Sequence, residues 1–549
     1  MCGSALHLAA AASSLLLAGM ILPTSAVAAP KSAFVTNYKA ATLSQFTFGT
    51  GQTLSPNGTV SSGSEPWFEA VTPDGKYLYA ADFTGAAVSQ YLINADGTLT
   101  PLSPATATTG TAPTGVAVSP DGRNLYVANA GGSVSVFDIA SGGTLSLTQT
   151  ETADLSDATG IAVSPDGSSV YVLDGAGGNI TEFNRASDGS LTAKSTPTIA
   201  SNESGYGDIA MTPDGTSLYV SSTGGSVIDE YSVGSGGELS AKSVPSVAGG
   251  SDDYALIVSP NGRNVYASDC DGGLIYQFSI GSNAELSPLV PPSVTPGGCP
   301  IGSWMTADGA HLYTPNYGHA YVDQYDVSST GALTPKSPAT AAAGSGSLAM
   351  IIPPDQGPVA AFSAKAGKAG KATKFNGSTS SDSDGTVAVY HWSFGDGHSL
   401  SNGGATPSHT YKKAGKYKVT LTVTDDSGCS LTQVFTGQTA YCNGTPAARI
   451  VHRVKIASSS RPVKLSVSPH SAKAGTSTCY VLRATSGGHG VKKATVKLAG
   501  HKAVTSASGK AKLCLALKKG TYHARVTKAG YKSAVAAIRV TAATPVFTG

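Results

Sequence analysis

The sequence predicts an all-β protein in which a seven-bladed β-propeller is followed by two β-sandwich (Ig-like) domains. Three observations predict this fold class. A turn motif returns at intervals of 45 to 48 residues through the first 357 positions. Gly accounts for 66 of the 549 residues, whereas charged residues make up only 13%. Short runs of Val, Thr and Tyr lie between these glycines, as expected for many short strands joined by tight turns.

Each repeat has the pattern of one propeller blade. In the second repeat, an apolar stretch at 115–119 precedes a Pro-Asp-Gly turn, and alternating stretches at 124–129, 133–139 and 145–150 follow it. Four antiparallel strands in about 40–50 residues form one blade. The turn motif, intact or altered, begins at Pro73, Pro120, Pro165, Pro213, Pro260, Ala307 and Pro354.

The two ends of the repeat region are predicted to share one blade. The chain enters the repeat with residues 34–37 as a second strand and residues 43–48 as a third. Residues 347–352 supply a single inner strand at the other end. A blade built from both ends removes the exposed sheet edges, so six complete repeats and this composite give seven blades.

These repeats carry the motifs of a known family. Phe34-Val35-Thr36-Asn37, Leu125-Tyr126-Val127-Ala128-Asn129 and the recurring Ser-Pro-Asp-Gly resemble the YVTN-type repeats of lactonase-like seven-bladed propellers. The resemblance covers about 330 residues and implies the fold. It implies little about activity, because turn and core residues carry it.

A second resemblance follows Gly357. The motifs Trp392-Ser393-Phe394-Gly395-Asp396-Gly397 and His409-Thr410-Tyr411, with the alternating stretch at 417–423, resemble a PKD domain. Trp392 is expected in the core of this Ig-like sandwich. Asp382, Asp384 and Asp396 are candidate ligands of Ca²⁺, which is the one cofactor the sequence suggests. The alternative is that these residues form Asx turns.

The C-terminal region is basic. Up to Gly357 the chain after residue 30 has 9 Lys and Arg against 29 Asp and Glu, whereas the remainder has 27 against 5. Alternating stretches and the segment 520–531 resemble carboxypeptidase-regulatory-like or other bacterial Ig-like modules. The basic surface of this module is predicted to bind an anionic cell-wall polymer, and a solvated basic surface without a partner is the alternative. The lysines proposed for this surface are Lys492, Lys493, Lys497, Lys502, Lys510, Lys512, Lys518 and Lys519.

Nucleic acid is disfavoured as a partner, because aromatic residues are sparse and the chain is expected to be exported.

The N-terminus reads as a secretory signal peptide. Residues 6–22 are almost wholly apolar, and the small residues 26–29 follow, so we expect cleavage near Ala29. An uncleaved anchor is the alternative, and no later segment is apolar enough to span a bilayer. The predicted divisions are residues 1–29 as signal peptide, 30–357 as propeller, 358–442 as PKD domain, 443–460 as linker and 461–549 as basic Ig-like sandwich.

The cysteines predict three local disulfides. An exported chain with two cysteines in each region favours pairing within the region, whereas zinc is disfavoured because no CxxC motif is present. The six cysteines beyond the signal are Cys270, Cys299, Cys429, Cys442, Cys479 and Cys514.

One face of the propeller is the predicted ligand face. It carries the loops that lead into the inner strands and the loops between the second and third strands. Carboxylates clustered there suit a cation, and aromatics beside carboxylates suit sugar rings. The acids and amides at the recurring second-strand end are expected to form Asx turns. The candidate ligand-binding residues are Glu65, Trp67, Glu69, Asp252, Asp253, Tyr254 and Trp304.

These features predict a secreted or cell-surface binding or scaffold protein. The propeller would bind an extracellular polysaccharide, protein or cation, and the basic module would attach to anionic envelope polymers. The alternative is a secreted hydrolase of lactone or sugar-derived substrates. No nucleophile elbow, P-loop or HExxH motif is present, which disfavours an enzyme, and catalytic residues are not assigned. A monomer is expected.

Overall fold

The computed structural model describes residues 32–202 and 204–543, and the predicted signal peptide lies outside them. The chain divides into two compact units. Unit 1 comprises the described residues within Met1–Ala360, Ser380–Val389 and Val423–Arg449, and unit 2 comprises those within Ala361–Thr379, Tyr390–Thr422 and Ile450–Gly549. Within the described ranges, no helix is long and apolar enough to cross a membrane.

Unit 1 contains a propeller of seven four-stranded sheets, as predicted. The composite blade has the strand order β28-β1-β2-β3, which confirms closure by strands from both ends. Two strands of the example repeat, Asn124–Asn129 and Ser133–Ile139, have the predicted bounds. The propeller strands are β1 (Ala33–Asn37), β2 (Thr42–Phe48), β3 (Leu54–Ser61), β4 (Pro66–Val71), β5 (Tyr77–Asp82), β6 (Ala87–Ile93), β7 (Leu99–Thr108), β8 (Pro113–Val118), β9 (Asn124–Asn129), β10 (Ser133–Ile139), β11 (Leu145–Glu151), β12 (Ala158–Val163), β13 (Ser169–Asp174), β14 (Asn179–Arg185), β15 (Leu191–Ala200), β16 (Gly207–Met211), β17 (Ser217–Ser222), β18 (Val227–Val233), β19 (Leu239–Ala248), β20 (Asp253–Val258), β21 (Asn264–Asp269), β22 (Leu274–Ile280), β23 (Leu286–Val294), β24 (Trp304–Met305), β25 (His311–Asn316), β26 (Tyr321–Val327), β27 (Leu333–Ala342) and β28 (Ser347–Ile351).

Neighbouring blades are joined by a repeated tyrosine contact. Tyr79, on the second strand of its blade, donates its hydroxyl to the carbonyl of Gly143 in the next blade at 2.6 Å. Tyr313 makes the same contact to Gln52 at 2.6 Å, across the junction of the two chain ends. These phenols are buried and their hydroxyls are satisfied, so each tyrosine adds packing and a hydrogen bond. The other members of this set are Tyr126, Tyr171, Tyr219 and Tyr266.

A second contact repeats from blade to blade. A side-chain oxygen of Gln45 accepts the backbone N–H of Leu99 in the following blade. The side-chain oxygen of Gln324 accepts the backbone N–H of Leu54 at 2.6 Å. This contact extends the set across the junction of the two chain ends. Two blades use an acid instead of an amide, and the acids are Glu182 and Glu230. The remaining acceptors are Gln90, Gln149 and Gln277.

Unit 1 also contains part of the region assigned to the PKD domain. Strands β29 (Asp355–Gln356), β37 (Val434–Phe435) and β38 (Ala440–Asn443) form a small sheet in which β29 runs parallel to β38. The Cys429–Cys442 disulfide closes this segment. The predicted boundary at residue 357 therefore does not separate two independently packed bodies, because residues 423–449 pack with the propeller.

Unit 2 contains the aromatic core predicted for the PKD domain. Trp392 is fully buried, lies 5.1 Å from Phe362 between ring centroids, and donates its indole N–H to the carbonyl of Gly404 at 3.0 Å. Tyr411 is also buried and donates to the carbonyl of Phe394. The strands between the propeller and the last module are β30 (Ser363–Ala364), β31 (Gly367–Lys368), β32 (Ala372–Asn376), β33 (Val387–Ser393), β34 (Ser399–Leu400), β35 (Ser408–Thr410), β36 (Gly415–Asp425) and β39 (Arg449–Ala457).

The predicted linker at 443–460 requires a correction. It contains a short 3-10 helix, Pro446–Ala448, and the nine-residue strand β39. Strand β39 runs parallel to β31, with Ile456 opposite Gly367. Val454 and Ile456 are buried while their neighbours are exposed. This alternation is a strand signal, which the density of basic residues had obscured.

The last module of unit 2 is a β-sandwich with an aliphatic core. Its two sheets enclose fully buried aliphatic residues such as Leu482, Val496 and Ile538. The segment 520–531, singled out in the sequence, contains most of strand β47. The strands are β40 (Lys464–Ser468), β41 (Ser471–Lys473), β42 (Ser477–Ser486), β43 (His489–Gly490), β44 (Thr495–Leu498), β45 (His501–Val504), β46 (Lys510–Ala516), β47 (Gly520–Thr527) and β48 (Ala534–Thr541).

The three predicted disulfides are all present. Cys270 pairs with Cys299 in the propeller, and Cys479 pairs with Cys514 across the adjacent strands β42 and β46. Together with Cys429–Cys442, they confirm that pairing is local to each region.

Candidate functional site

Six aromatic side chains gather on the predicted ligand face, and we call them the mouth cluster. Three lie at the start of an inner strand or just before it, and three lie in loops between second and third strands. All but Trp67 are only partly buried. They pack with the apolar residues of the inner strands. The members of the mouth cluster are Tyr38, Trp67, Phe83, Tyr206, Tyr254 and Tyr317.

Contacts within the mouth cluster cross the propeller axis. The ring of Trp67, in the blade β4–β7, lies 5.2 Å from that of Tyr206, in the blade β16–β19. These two blades are three positions apart, which is the greatest separation in a ring of seven. Trp67 also lies 5.0 Å from Phe83 and 5.6 Å from Tyr38. The rings therefore lie over the central channel and present a partly exposed aromatic surface.

Carboxylates and one cation surround this aromatic surface. Burial, followed by a hydrogen bond to Glu65, raises the pKa of Tyr38 to about 12. Burial raises the pKa of Asp252 to about 6, with the charge of Asp271 as the next cause. Lys39 lies 4.1 Å above the ring of Tyr317. Aromatic faces beside carboxylate acceptors match the two sides of a sugar ring, which has apolar C–H faces and hydroxyl edges.

The predicted ligand-binding residues differ in how deeply they are buried. Glu65, Asp252 and Tyr254 lie at the mouth, and Trp67 lies at its centre. Asp253 is only 1% exposed and pairs across the strands with Asp269. Burial raises the pKa of Asp253 to about 7, and the charges of Asp269 and Asp252 add to this effect.

Five of the predicted residues lie on inner strands and not in the loops that lead into them. They are Trp67, Glu69, Asp253, Tyr254 and Trp304. Glu69 is on the inner strand β4, is 7% exposed, and receives no hydrogen bond of ordinary geometry from any described residue. Burial raises its pKa well above the usual value. Trp304 is on the inner strand β24 near the turn end and stacks on Tyr441 with centroids 4.9 Å apart. Strand β24 is difficult to predict from sequence, because the segment before it departs from the repeat.

The far end of the channel is filled by residues 433–441, which we call the plug. The backbone N–H groups of Met211, Val163 and Val118 donate to the carbonyls of Thr436, Gly437 and Gln438 at 2.8, 2.8 and 2.9 Å. The donors lie at the same position in three neighbouring blades. Successive plug residues therefore satisfy edge groups that the inner strands would otherwise leave unpaired.

Gly437 is required at the centre of the plug. Its φ is +130°, and a Cβ at this position would lie 3.0 Å from the Cβ of Ala162. Both the backbone conformation and the close approach to β12 favour glycine. Any larger residue would displace the plug from the channel wall.

A cavity of about 50 Å³ remains between the plug and the inner strands. Glu69 and Asp208 line it, together with Gln438 of the plug. Burial raises the pKa of Asp208 to about 7, and bonds from the backbone and from Gln438 oppose this effect. Such a volume holds a few water molecules, so the cavity is too small for a sugar or a lactone.

Three members of the mouth cluster are not among the residues predicted from the sequence. Tyr38, Phe83 and Tyr317 each directly follow the recurring second-strand end, at Asn37, Asp82 and Asn316. From sequence, that position is predicted only to form an Asx turn. An aromatic residue immediately after it, in three of seven repeats, was the available signal.

The candidate Ca²⁺ ligands fall into two places. Asp382 and Asp384 belong to unit 1, with Asp355 and Asp425. Burial raises the pKa of Asp355 to about 9, and the charges of Asp425 and Asp384 add to it. Asp425 is 3% exposed, and its Oδ2 has no partner among described residues. Asp396 belongs to unit 2, where its carboxylate accepts from His409 Nε2 at 2.8 Å.

Comparison with known families matches these two parts of the chain. Residues 32–159 match the family model "Lactonase, 7-bladed beta-propeller" and residues 355–438 match the PKD domain. The chain thus contains a lactonase-type seven-bladed propeller region and a PKD domain, as the sequence motifs predicted.

Curated relatives are similar over short segments only. The chain is 49% identical over 70 residues to the pre-pro-metalloprotease PrtV of Vibrio cholerae, which is 13% of this chain and 7% of that protein. It is 48% identical over 54 residues to collagenase ColA of Clostridium perfringens, covering 10% of this chain and 5% of that protein. The chain therefore spans less than a tenth of the length of these relatives, and the homologous regions are PKD regions.

Solved structures resemble the propeller. A candidate 6-phosphogluconolactonase from Bacteroides fragilis is 20% identical, with a TM-score of 0.52, over 58% of this chain and 97% of that chain. A protein from Lactobacillus plantarum is 19% identical, with a TM-score of 0.52, over 58% and 98%. At this level of identity, the likeness establishes the fold alone.

Proposed function

We propose that this chain is an extracellular binding protein whose propeller mouth binds saccharide. The observation that carries the proposal is the mouth cluster, in which Trp67 and Tyr206 meet above the channel at 5.2 Å. Rigid aromatic faces offer stacking area at low entropic cost, and the surrounding carboxylates accept hydroxyl hydrogen bonds. Three disulfide bonds suit an oxidising compartment and support export.

The plug favours binding over turnover deep in the channel. With the turn end filled by residues 433–441, a ligand reaches the propeller axis only from the mouth. The buried carboxylates Glu69 and Asp208 border a cavity of only about 50 Å³. Arg185 is held between two blades by an ion pair with Asp121 at 3.0 Å and by a hydrogen bond that it donates to the hydroxyl of Tyr126 at 2.7 Å.

The basic module is proposed to bind anionic envelope polymers. Lys497 of β44 lies opposite Lys502 of β45 and opposite Arg525 of β47, so three cations form one row across the sheet. On the other sheet, Arg483 lies opposite Lys510. Like charges directly opposite each other are unfavourable unless an anion neutralises them. All eight lysines proposed from the sequence are exposed.

The PKD region is proposed to bind Ca²⁺ through acids of unit 1. The acids proposed for this site are Asp355, Asp382, Asp384 and Asp425. Burial, followed by repulsion from Asp382 and Asp426, raises the pKa of Asp425 to about 7. A divalent cation relieves this repulsion, and carboxylate oxygens are the ligands that Ca²⁺ prefers. Equilibrium dialysis with ⁴⁵Ca²⁺ should detect one equivalent that Asp382→Asn removes; unchanged binding in that variant would exclude this site.

Saccharide binding is tested with the full chain on an array of bacterial cell-wall polysaccharides. Tyr206→Ala and Tyr254→Ala should each weaken binding about tenfold or more, because each removes a stacking face. Tyr77→Ala is the matched control, since Tyr77 is also partly exposed but lies after a Pro-Asp-Gly turn and bonds to Ser141. Equal losses in all three variants, or no binding at all, would count against the proposal.

Lactone hydrolysis is the second candidate, favoured by the structural likeness to a candidate 6-phosphogluconolactonase. The full chain is assayed against sugar and dicarboxylic-acid lactones, with and without divalent cations. Hydrolysis well above buffer that is lost in Asp252→Ala or Asp253→Ala would establish this function and displace simple binding. No turnover across the panel would leave saccharide binding as the function to pursue.

A further inference from the structure

Two imidazoles and one carboxylate converge in unit 2. Asp396 Oδ2 lies 2.8 Å from His409 Nε2, and Asp396 Oδ1 lies 3.3 Å from His398 Nδ1. One ligand atom of each residue lies within 4.8 Å of those of the other two. The ligand atoms of a tetrahedral site lie about 3–4 Å apart when metal–ligand bonds are about 2.0–2.2 Å. The spacing of these three residues therefore suits a small transition-metal ion.

The local fold holds each side chain in position. Gly395 and Gly397, with φ of +76° and +92°, turn the chain on both sides of Asp396. The ring of His409, on β35, stacks on Phe394 at 4.3 Å and meets the edge of Tyr411 at 4.6 Å. Aromatic contacts of this kind fix the ring orientation, which is what outer groups do for metal ligands.

The exposure of the three side chains leaves room for a further ligand. Asp396 and His409 are largely buried, with side-chain exposures of 17% and 13%, whereas His398 is 61% exposed. An ion held by these three groups would keep open coordination positions toward solvent. Three protein ligands with an open position are the arrangement of accessible zinc sites.

We propose that Asp396, His398 and His409 form a binding site for Zn²⁺ or a similar divalent transition metal. Nitrogen donors distinguish it from the all-oxygen cluster of Asp382, Asp384 and Asp425, because imidazole suits Zn²⁺ and carboxylates suit Ca²⁺. Asp396, considered from sequence as a Ca²⁺ ligand, thus serves a different ion. The ion links the turn after β33 to strand β35, and its open coordination positions bind water or an anionic group.

The alternative is a turn held only by hydrogen bonds. In that case, the Asp396–His409 contact needs no metal and His398 is a solvated surface residue. The alternatives predict different effects of His398→Ala. This change leaves a hydrogen-bonded turn almost unaltered, but it removes one of three metal ligands.

The test is isothermal titration of untagged, full-length protein with ZnCl₂ after chelator treatment. We expect one equivalent of Zn²⁺ bound, with at least a tenfold loss of affinity in His398→Ala and in His409→Gln. His391→Ala is the matched control, because His391 is an exposed histidine of the same unit and lies outside the triad. Asp382→Asn should leave the Zn²⁺ isotherm unchanged.

A second readout separates ligation from folding. The Co²⁺-loaded chain should give the visible d–d absorption of a low-coordinate site, and His398→Ala should abolish it while the far-UV spectrum is retained. Zn²⁺ binding that is equal in wild type, His398→Ala and His391→Ala would overturn the proposal. So would the absence of a Co²⁺ spectrum in the folded wild-type protein.

Discussion

The indole of Trp304, in the sixth complete blade, stacks on the phenol ring of Tyr441, in the plug, with centroids 4.9 Å apart and ring planes inclined by 29°. The hydroxyl of Tyr441 bonds to the carbonyl of Val258 in the preceding blade at 3.3 Å. The plug therefore contacts the wall of the channel on the side opposite to its backbone contacts with Val118 and Val163. One short segment thus ties together most of the ring.

Tyr441→Ala should destabilise unit 1 substantially. The change removes a fully buried aromatic ring and its stack with Trp304, which costs about 3–5 kcal/mol in the free energy of unfolding. Denaturant unfolding followed by Trp fluorescence measures this loss. Tyr522→Ala, in the last module, is the comparison, since Tyr522 is only partly buried. Similar losses in both variants would mean that the plug contributes no special stability.

Removing the Cys429–Cys442 disulfide should loosen the plug. The bond spans 13 residues, and closing a loop of that size stabilises by about 3 kcal/mol. The double Ser variant should lower the midpoint temperature of the unit 1 unfolding transition, measured by calorimetry. The corresponding Cys479/Cys514 double variant should leave that transition unchanged, because its disulfide lies in the last module of unit 2. An unaltered unit 1 transition in the Cys429/Cys442 variant would contradict the expectation.

Glu182→Gln and Glu230→Gln should stabilise the propeller at neutral pH. Both acids occupy the third-strand acceptor position that four other blades fill with glutamine, and burial raises the pKa of each to about 7. A carboxyl whose folded pKa is raised loses stability as pH rises from about 4 through 7. The amide removes this loss, by about 1–2 kcal/mol per site at pH 8.

Thermal unfolding between pH 4 and pH 8 tests this pH dependence. The wild type should fall in midpoint across the interval more steeply than the double Gln variant. Gln277→Glu is the reverse control and should introduce the same dependence in another blade, since Gln277 accepts the N–H of Leu333. Parallel curves for all three proteins would refute the assignment.

Neutralising the cationic row should have opposite effects on stability and on binding. Lys497→Gln removes repulsion from Lys502 and Arg525, which stabilises the last module by about 0.2–1 kcal/mol. The same change should weaken retention on a polyanionic resin such as immobilised polygalacturonate, with the difference shrinking as salt rises. Lys371→Gln, an exposed lysine outside the module, is the control. Unchanged retention of Lys497→Gln would count against this surface.

The strand pattern and ring closure were readable from sequence because each repeat carries the same local signals. Alternation defined Ser133–Ile139 and the turn motif fixed its phase. The plug could not be predicted from sequence, since its contacts with the channel wall involve strands more than about 130 residues away, as with Tyr441 and Trp304. Tyr254 could be placed by counting from the turn, whereas Trp304 could not, because the segment before β24 departs from the repeat.

The plug also has a consequence for the order in which the protein matures. It follows all seven blades in the sequence, so during synthesis the propeller strands emerge before the segment that fills their centre. Until residue 441 has emerged, the N–H groups of Val118, Val163 and Met211 have only water as a partner. Final consolidation of the ring therefore waits for the chain beyond it, and a product truncated after the last blade would remain unfinished at its axis.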